Sequence, residues 1–229
     1  SRFMLIDETH CSTNGYGDTS AEDYKENGWL KIWAPVLLGE GETFPTWQEA
    51  SKKLEQERFV KLKQKRDVPM CGPECVSAPL STAVSVILDT DVYKCRMKLV
   101  ILPFLMEAEA RGMKENKNVY AYVVGLGIGA WMVDAKVQSN LMAEVYADIL
   151  KTNVFEKIEN IEFGWFPSET FKQGPTYFEE HFNTSMTGFH TRIKLHHTFE
   201  DPGYKTDRKY GQLLVAMYAW DGMAYPGNE

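Results

Sequence analysis

Two groups of residues in this sequence have types and spacing that could do chemistry. The first is a run of alternating glycines near the middle of the chain, Gly125-Leu126-Gly127-Ile128-Gly129-Ala130-Trp131. Glycines allow positive φ and lack a Cβ, so the backbone amides of such a loop can approach a diphosphate closely. The spacing fits neither the Gly-x-Gly-x-x-Gly dinucleotide pattern nor a P-loop, which disfavours nicotinamide and nucleoside-triphosphatase chemistry. The alternative is a tight strand-to-helix connection that needs small residues, and the loop alone leaves the two interpretations about even.

The second group lies at residues 220–229, and its polar and turn-forming members include Asp221, Gly222, Tyr225, Asn228 and Glu229. It follows an apolar run that we expect to form a central strand buried on both faces. A carboxylate at the end of that strand could orient or deprotonate a ribose hydroxyl or a water beside an anomeric carbon. Turns in the segment can bring Glu229 back towards Asp221, so the two acids could divide these roles, although the same dipeptides are also ordinary turns. Together the two loops predict an ADP-ribose pocket.

The other polar residues offer weaker candidates. Cys71 and Cys75 have the spacing of half a zinc site, but no second pair matches them, so a turn with two reduced thiols is the better interpretation. His10 and Cys11 are adjacent in an extended segment, where side chains rarely point at one another. His196-His197 falls in a strand that would direct the two rings to opposite faces. The residues therefore require no metal and no cofactor.

The charge and hydropathy of the chain exclude several classes of partner. The formal net charge of −7 argues against nucleic acid and anionic membranes as partners, because both need a basic surface. The longest apolar runs are shorter than a membrane span, and four cysteines are too few for a disulfide scaffold in 229 residues. We therefore expect a soluble monomer of the cytoplasm, or of a host cytosol if the protein is a secreted effector.

The pattern of elements is that of an α/β protein that positions both loops at strand ends. Strands are predicted at residues 3–6, 98–102, 119–124, 158–165, 192–197 and 213–220. Helices are predicted at residues 47–65, 79–88, 104–111 and 135–150, with residues 29–38 as an irregular cover. In this interpretation a capping box at Thr46 starts the first helix, its basic residues 61–66 form a solvated face, and Asp134 is an acid at the start of the last helix. The alternation of strands and helices predicts one three-layer domain over residues 1–229, with residues 1–70 as a partly irregular or helical elaboration.

Three stretches of the chain resemble a macrodomain-like family, that of the Legionella effector MavL. They are Asp7-Glu8-Thr9-His10 with Asn14, Tyr16 and Gly17, then the glycine loop with Gln138, and finally residues 219–229. The resemblance implies a macrodomain-like three-layer α/β/α sandwich with a mixed central sheet. It also implies a hydrolase that binds ADP-ribose and removes it from a modified protein, with ubiquitin as the expected substrate.

The resemblance assigns roles to particular residues. The glycine loop, Gly125 to Trp131, would hold the diphosphate, and Asp221 with Glu229 would be the catalytic acids. Gly222, Tyr225 and Asn228 would line the same pocket, and Asp7 and Glu8 would contact the adenosine side. Met223 stands where the family pattern has Asn, and that pattern continues past Glu229 through an aromatic pair towards a Ser-Gly-Asp-Pro stretch. The alternative functions are a non-catalytic reader of ADP-ribosylated proteins and an interaction module with a vestigial pocket.

Overall fold

The computed structural model describes residues 4–14, 16, 28–66, 82–128, 132–164, 166, 194–198 and 211–217. The chain divides into two compact units, Ser1–Arg96 and Met97–Glu229. The helices are α1 (Gly28–Leu37), α2 (Trp47–Lys52), α3 (Thr90–Glu115) and α4 (Ala135–Thr152). The strands are β1 (Leu5–Ile6), β2 (Phe59–Arg66), β3 (Thr82–Asp89), β4 (Val119–Val124), β5 (Ile158–Gly164), β6 (Lys194–Thr198) and β7 (Leu213–Ala216).

The first unit contains an antiparallel sheet in the order β1-β3-β2. The pairing of β2 with β3 runs from Phe59 opposite Asp89 to Arg66 opposite Thr82. Helix α2 begins with the predicted capping box, in which the Thr46 hydroxyl accepts from the Glu49 amide and the Glu49 carboxylate accepts from the Thr46 amide. The buried apolar residues of this unit form two clusters. One contains Ile6, Phe59 and Ile87, and the other contains Leu30, Phe44 and Val92.

The two strands β2 and β3 correct predictions of helix. The helix predicted at residues 47–65 ends at Lys52, and the basic residues 61–66 belong to β2 rather than to a helix face. In this strand Lys61 and Lys63 are exposed while Leu62 between them is buried, which is the two-residue period of a strand. The helix predicted at residues 79–88 is β3, the middle strand, whose buried apolar run has no period that distinguishes it from a buried helix.

Two other segments are helices where the sequence predicted something else. Residues 29–38 form α1 rather than an irregular cover, and Leu30, Ala34 and Leu37 are buried along one side of it. The strand predicted at residues 98–102 and the short helix at 104–111 are both parts of α3. Gly112 does not end that helix, and its missing Cβ instead makes room for the side chains of Val119 and Lys157.

The second unit contains a parallel sheet in the order β6-β5-β4-β7. The prediction of strand 119–124 is confirmed at both ends, and those of 158–165, 192–197 and helix 135–150 are confirmed within one or two residues over the described part. The core lies between this sheet and its helices. Its largest fully buried members include Ile101, Leu105, Met142, Tyr146, Ile149, Ile161, Phe163 and Phe166.

The arrangement of strands differs from the prediction in two respects. The described strands form one parallel and one antiparallel sheet rather than one mixed central sheet, so the α/β class is confirmed while a three-layer sandwich stays a prediction. Strand β7 stands at the end of the described order, and Leu214 is 45% exposed, so burial of this strand on both faces is wrong. Val215 and Met217 are buried in the core and Leu213 packs against it, while Leu214 on the other face is exposed. Apolar character in a strand does not fix which face is covered.

Candidate functional site

The glycine loop leaves β4 at its carboxyl end, as predicted. Gly125 follows Val124, the last residue of the strand, and Gly127 has a φ of +71°, a conformation that favours glycine. Ile128 is buried in the core of the second unit and Leu126 packs against that core. The two apolar side chains thus anchor a loop whose alternate positions have no side chain. Gly129, Ala130 and Trp131 lie outside the described residues.

The side chain of Gln138, on the first turns of α4, ties this loop to the helix. Its Oε1 accepts hydrogen bonds from the amides of Val133 at 2.8 Å and Asp134 at 3.0 Å. Its Nε2 donates to the carbonyl oxygen of Gly127 at 3.1 Å. The side chain is 6% exposed, so these bonds are shielded from competing water. One buried amide therefore fastens both sides of the loop.

The amino end of α4 is capped by protein groups. Asp134 is the N-cap residue, as predicted, and its carboxylate accepts from the amide of Val137 at 2.9 Å. The amides of Val133 and Asp134 are already bonded to Gln138. A carboxylate at this position also repels a phosphate. The amides of Val133, Asp134 and Val137 are therefore committed to protein groups and not to a diphosphate.

A tyrosine and a glycine shape the sheet edge beside the loop. Val124 of β4 pairs with Gly164, the last residue of β5. A Cβ at Gly164 would overlap the ring and hydroxyl of Tyr122, which is itself buried. On the same strands the Tyr120 hydroxyl donates to the buried carboxylate of Glu162 at 2.5 Å. Sequence reasoning missed these residues, although Glu162, between the apolar residues Ile161 and Phe163 of the predicted strand, was an available signal.

Strand β7 ends at the same edge of the sheet as β4. It runs parallel to β4, with Val215 opposite Ala121 and Ala216 opposite Tyr122. Beyond the strand, the Met217 amide donates to the Tyr122 carbonyl at 2.7 Å. Strands β4 and β7 are hydrogen-bonded and parallel, so both point towards this edge of the sheet. The predicted residues Asp221, Gly222, Tyr225, Asn228 and Glu229 lie outside the described part of the chain.

In the first unit, Asp7 uses its carboxylate locally. Its Oδ1 accepts from the amide and the hydroxyl of Thr9, at 2.9 and 2.5 Å, and lies 3.2 Å from Nδ1 of His10. This is the local capping that short acidic side chains commonly provide. Glu8 is exposed. The Cys11 thiol lies 2.9 Å from the Thr13 hydroxyl, so Cys11 and His10 are each engaged with other groups.

Among the described residues, no group of three or more His, Cys, Asp or Glu side chains is placed to hold a metal ion. None of the helices bounded above is long and apolar enough to cross a membrane. Cys71 and Cys75, and the side chains of His196 and His197, lie outside the part of the chain that can be described.

Residues 79–229, which include the glycine loop, Gln138 and the terminal loop, match the model of a family described as ADP-ribosylhydrolase MavL-like. The chain belongs to this family. The family resemblance predicted from the sequence motifs is therefore confirmed.

The MavL-like chain is also similar to two curated proteins of Drosophila melanogaster. ADP-ribosylarginine hydrolase CG2909 is 29% identical over 243 aligned residues, which cover 99% of this chain and 40% of the relative. ADP-ribosylarginine hydrolase CG3568 is 28% identical over 160 residues, which cover 62% of this chain and 27% of the relative. The chain thus spans less than half the length of either relative.

Proposed function

We propose that the protein binds ADP-ribose and hydrolyses the bond that links it to a modified protein. The observation that carries this proposal is the parallel pairing of β4 with β7, whose carboxyl ends lie at one edge of one sheet. In the sequence, the glycine loop follows β4 and residues 220–229 follow β7. Ligands of open α/β sheets bind at this edge. The family to which the chain belongs, and the names of its two relatives, support the same chemistry.

In the proposed site the glycine loop holds the diphosphate and the terminal loop acts at the distal ribose. Peptide groups of Gly125 to Gly129 donate to phosphate oxygens, which suits a chain of net charge −7 that must bind an anion locally. Asp221 takes a proton from a water molecule as that water attacks the anomeric carbon. The bond from this carbon to the acceptor atom breaks, and the acceptor leaves with the bonding electrons and takes a proton from solvent, while Asp221 releases to solvent the proton that it gained. Glu229 anchors the ribose hydroxyls.

The proposed acceptor is an arginine side chain. Both Drosophila relatives are named ADP-ribosylarginine hydrolases, and such a bond joins the anomeric carbon to a guanidinium nitrogen. The proposal of ubiquitin as the modified protein rests on the family resemblance, and it concerns the protein rather than the linkage. The two proposals are compatible and can be tested separately.

One panel of substrates tests the function and the linkage together. We expect release of ADP-ribose from an arginine-modified protein and from arginine-modified ubiquitin, and little release from serine-linked or glutamate-linked ADP-ribose. Mass spectrometry of the protein before and after incubation measures the loss. Equal release from all linkages would contradict the arginine assignment, and no release from any of them would contradict hydrolysis.

A reader of ADP-ribosylated proteins is the second candidate function. It is favoured by Met223, an apolar side chain where the family pattern has an amide. A reader would bind ADP-ribose in a calorimetric titration and leave every member of the substrate panel intact. Turnover of any member would exclude it.

A further inference from the structure

We propose that Gln138 is the positioning residue that sets the glycine loop to receive a diphosphate, and that it does so by directing the amide of Ile128 towards the ligand. The inference rests on the proposed function, which assigns the diphosphate to this loop. Gln138 does not touch the reacting atoms in this proposal and acts through the loop backbone.

The bonds of Gln138 span the loop from Gly127 on one side to Val133 and Asp134 on the other. A primary amide is suited to this task because it carries an acceptor and a donor on one rigid plane. Glutamate would supply the acceptor and would place a second oxygen against the Gly127 carbonyl. Methionine, similar in length, would supply neither group. The three bonds therefore specify glutamine at this position.

The bond to Gly127 also fixes the direction of the next amide. The carbonyl of Gly127 and the N–H of Ile128 belong to one planar trans peptide, so they point in opposite directions. Because the carbonyl is turned towards Gln138, the Ile128 N–H is turned away from it. The positive φ of Gly127 is the backbone conformation in which this peptide is held. Ile128, whose side chain is buried in the core, thus contributes its backbone and not its side chain to the proposed pocket.

The capped helix end strengthens the inference. Asp134 and Gln138 already bond the amides of Val133, Asp134 and Val137. These three amides are committed to protein groups, and in the proposed site the loop amides upstream of the helix donate to the diphosphate. A residue that controls their direction controls the affinity for ADP-ribose.

The test compares Gln138→Met and Gln138→Glu with Ser139→Ala as a matched control. Ser139 is the next residue, is fully buried, and bonds only the helix carbonyl of Ala135 among the contacts described, at 2.5 Å. We expect the dissociation constant of ADP-ribose to rise about tenfold or more in both Gln138 variants and to stay within about twofold in Ser139→Ala. In turnover, KM should rise while kcat changes little, because the loop would hold the substrate and the transition state alike.

Hydrogen exchange of the loop amides separates this inference from the proposed function. In Gln138→Met, amides from Gly125 to Val133 should exchange faster while the melting temperature stays near that of the wild type. If the wild type does not bind ADP-ribose, the proposed function fails. If it binds and Gln138→Met binds equally well with unchanged exchange, the positioning role is wrong. If Gln138→Met does not fold, Gln138→Glu, which keeps the bonds to Val133 and Asp134, decides the question.

Discussion

Tyr146 presents a buried hydroxyl without a hydrogen-bond partner among the described residues. The residue lies on α4, is fully buried, and packs edge-on against Phe163 with ring centroids 5.0 Å apart. Burial raises the pKa of the Tyr146 hydroxyl well above its ordinary value, because a phenolate in the core would lose its hydration. Its contribution to folding is therefore that of the ring, and the hydroxyl only adds a desolvation cost.

Replacing Tyr146 by Phe should leave stability at pH 7 unchanged or raise it by up to about 1 kcal/mol, since it removes an unsatisfied polar group. The folded pKa lies above the unfolded value of about 10, so the wild type loses stability as the pH rises beyond about 10. The Tyr146→Phe variant lacks this loss, and its advantage should grow above that pH. Urea unfolding from pH 7 to 11 measures the difference. A loss of more than about 1 kcal/mol at pH 7 would show that the hydroxyl is bonded.

At the scale of residues, the sequence predicted local roles well and distant ones poorly. Asp134 was predicted as an acid at the start of a helix, and it caps that helix through a residue three positions away. In the sequence, Gln138 stands out only as part of the stretch that resembles the family. Its role depends on a hydrogen bond to the carbonyl of Gly127, eleven positions earlier in the chain, and no local sequence pattern predicts that contact.

At the scale of elements, one carboxylate of α3 holds the start of β5. Glu109 accepts from the amides of Glu156, Lys157 and Ile158, at 2.8 to 3.0 Å. Glu156 and Lys157 belong to the turn between α4 and β5, and Ile158 is the first residue of the strand. The carboxylate therefore replaces water at a set of backbone donors that the sheet leaves unused.

Replacing Glu109 by Ala should lower the free energy of unfolding by about 1–3 kcal/mol, because the three amides lose their acceptor. Glu107→Ala is the matched control on the same helix. Glu107 is exposed and pairs only with Arg111 among the contacts described, at 2.8 Å, so its loss should cost less than about 1 kcal/mol. Urea denaturation followed by circular dichroism measures both. Equal effects of the two substitutions would contradict the capping role of Glu109.

Gly164 tests how closely β4 and β5 fit at the edge of the site. A Cβ at this position would overlap the Tyr122 ring, so Gly164→Ala should destabilise the protein by about 1–3 kcal/mol. A second change, Tyr122→Leu, frees the space, and the double variant should lose less than the sum of the two single losses. Gly28→Ala, where a Cβ would meet nothing within 4 Å, is the control. Additive losses would contradict the proposed overlap.

Strands and helices could be predicted where clear turns separate them in the sequence. Strands β4 and β5 and helix α4 were predicted because short apolar runs and one amphipathic stretch alternate with clear turns. The sequence pattern predicts helices where strands β2 and β3 lie, since one follows a true helix start at Thr46 and the other is a buried run without a period. The β-branched residues at 98–102 were overridden by the long helix α3 around them.

At the scale of the whole molecule, the family match covers the part of the chain that contains the glycine loop and the terminal loop. The matched residues 79–229 include all of the parallel sheet and both loops. Asp7 and Glu8 follow β1 and lie before the matched residues, and their proposed contact with the adenosine side stays a prediction. The site as a whole could be predicted only as a pairing of motifs, because the contact between β4 and β7 joins residues about ninety positions apart.

The central claim is that the terminal loop supplies the acid for chemistry on an ADP-ribose held by the glycine loop. The most direct test is the release of ADP-ribose from an arginine-modified protein by the wild type, Asp221→Ala and Asp148→Ala. Asp148 is exposed on α4, about 20 Å along the helix from its capped end, and is the matched control. We predict that Asp221→Ala lowers the rate at least about 100-fold with an unchanged melting temperature, while Asp148→Ala acts as the wild type. Wild-type turnover by a folded Asp221→Ala would contradict the account.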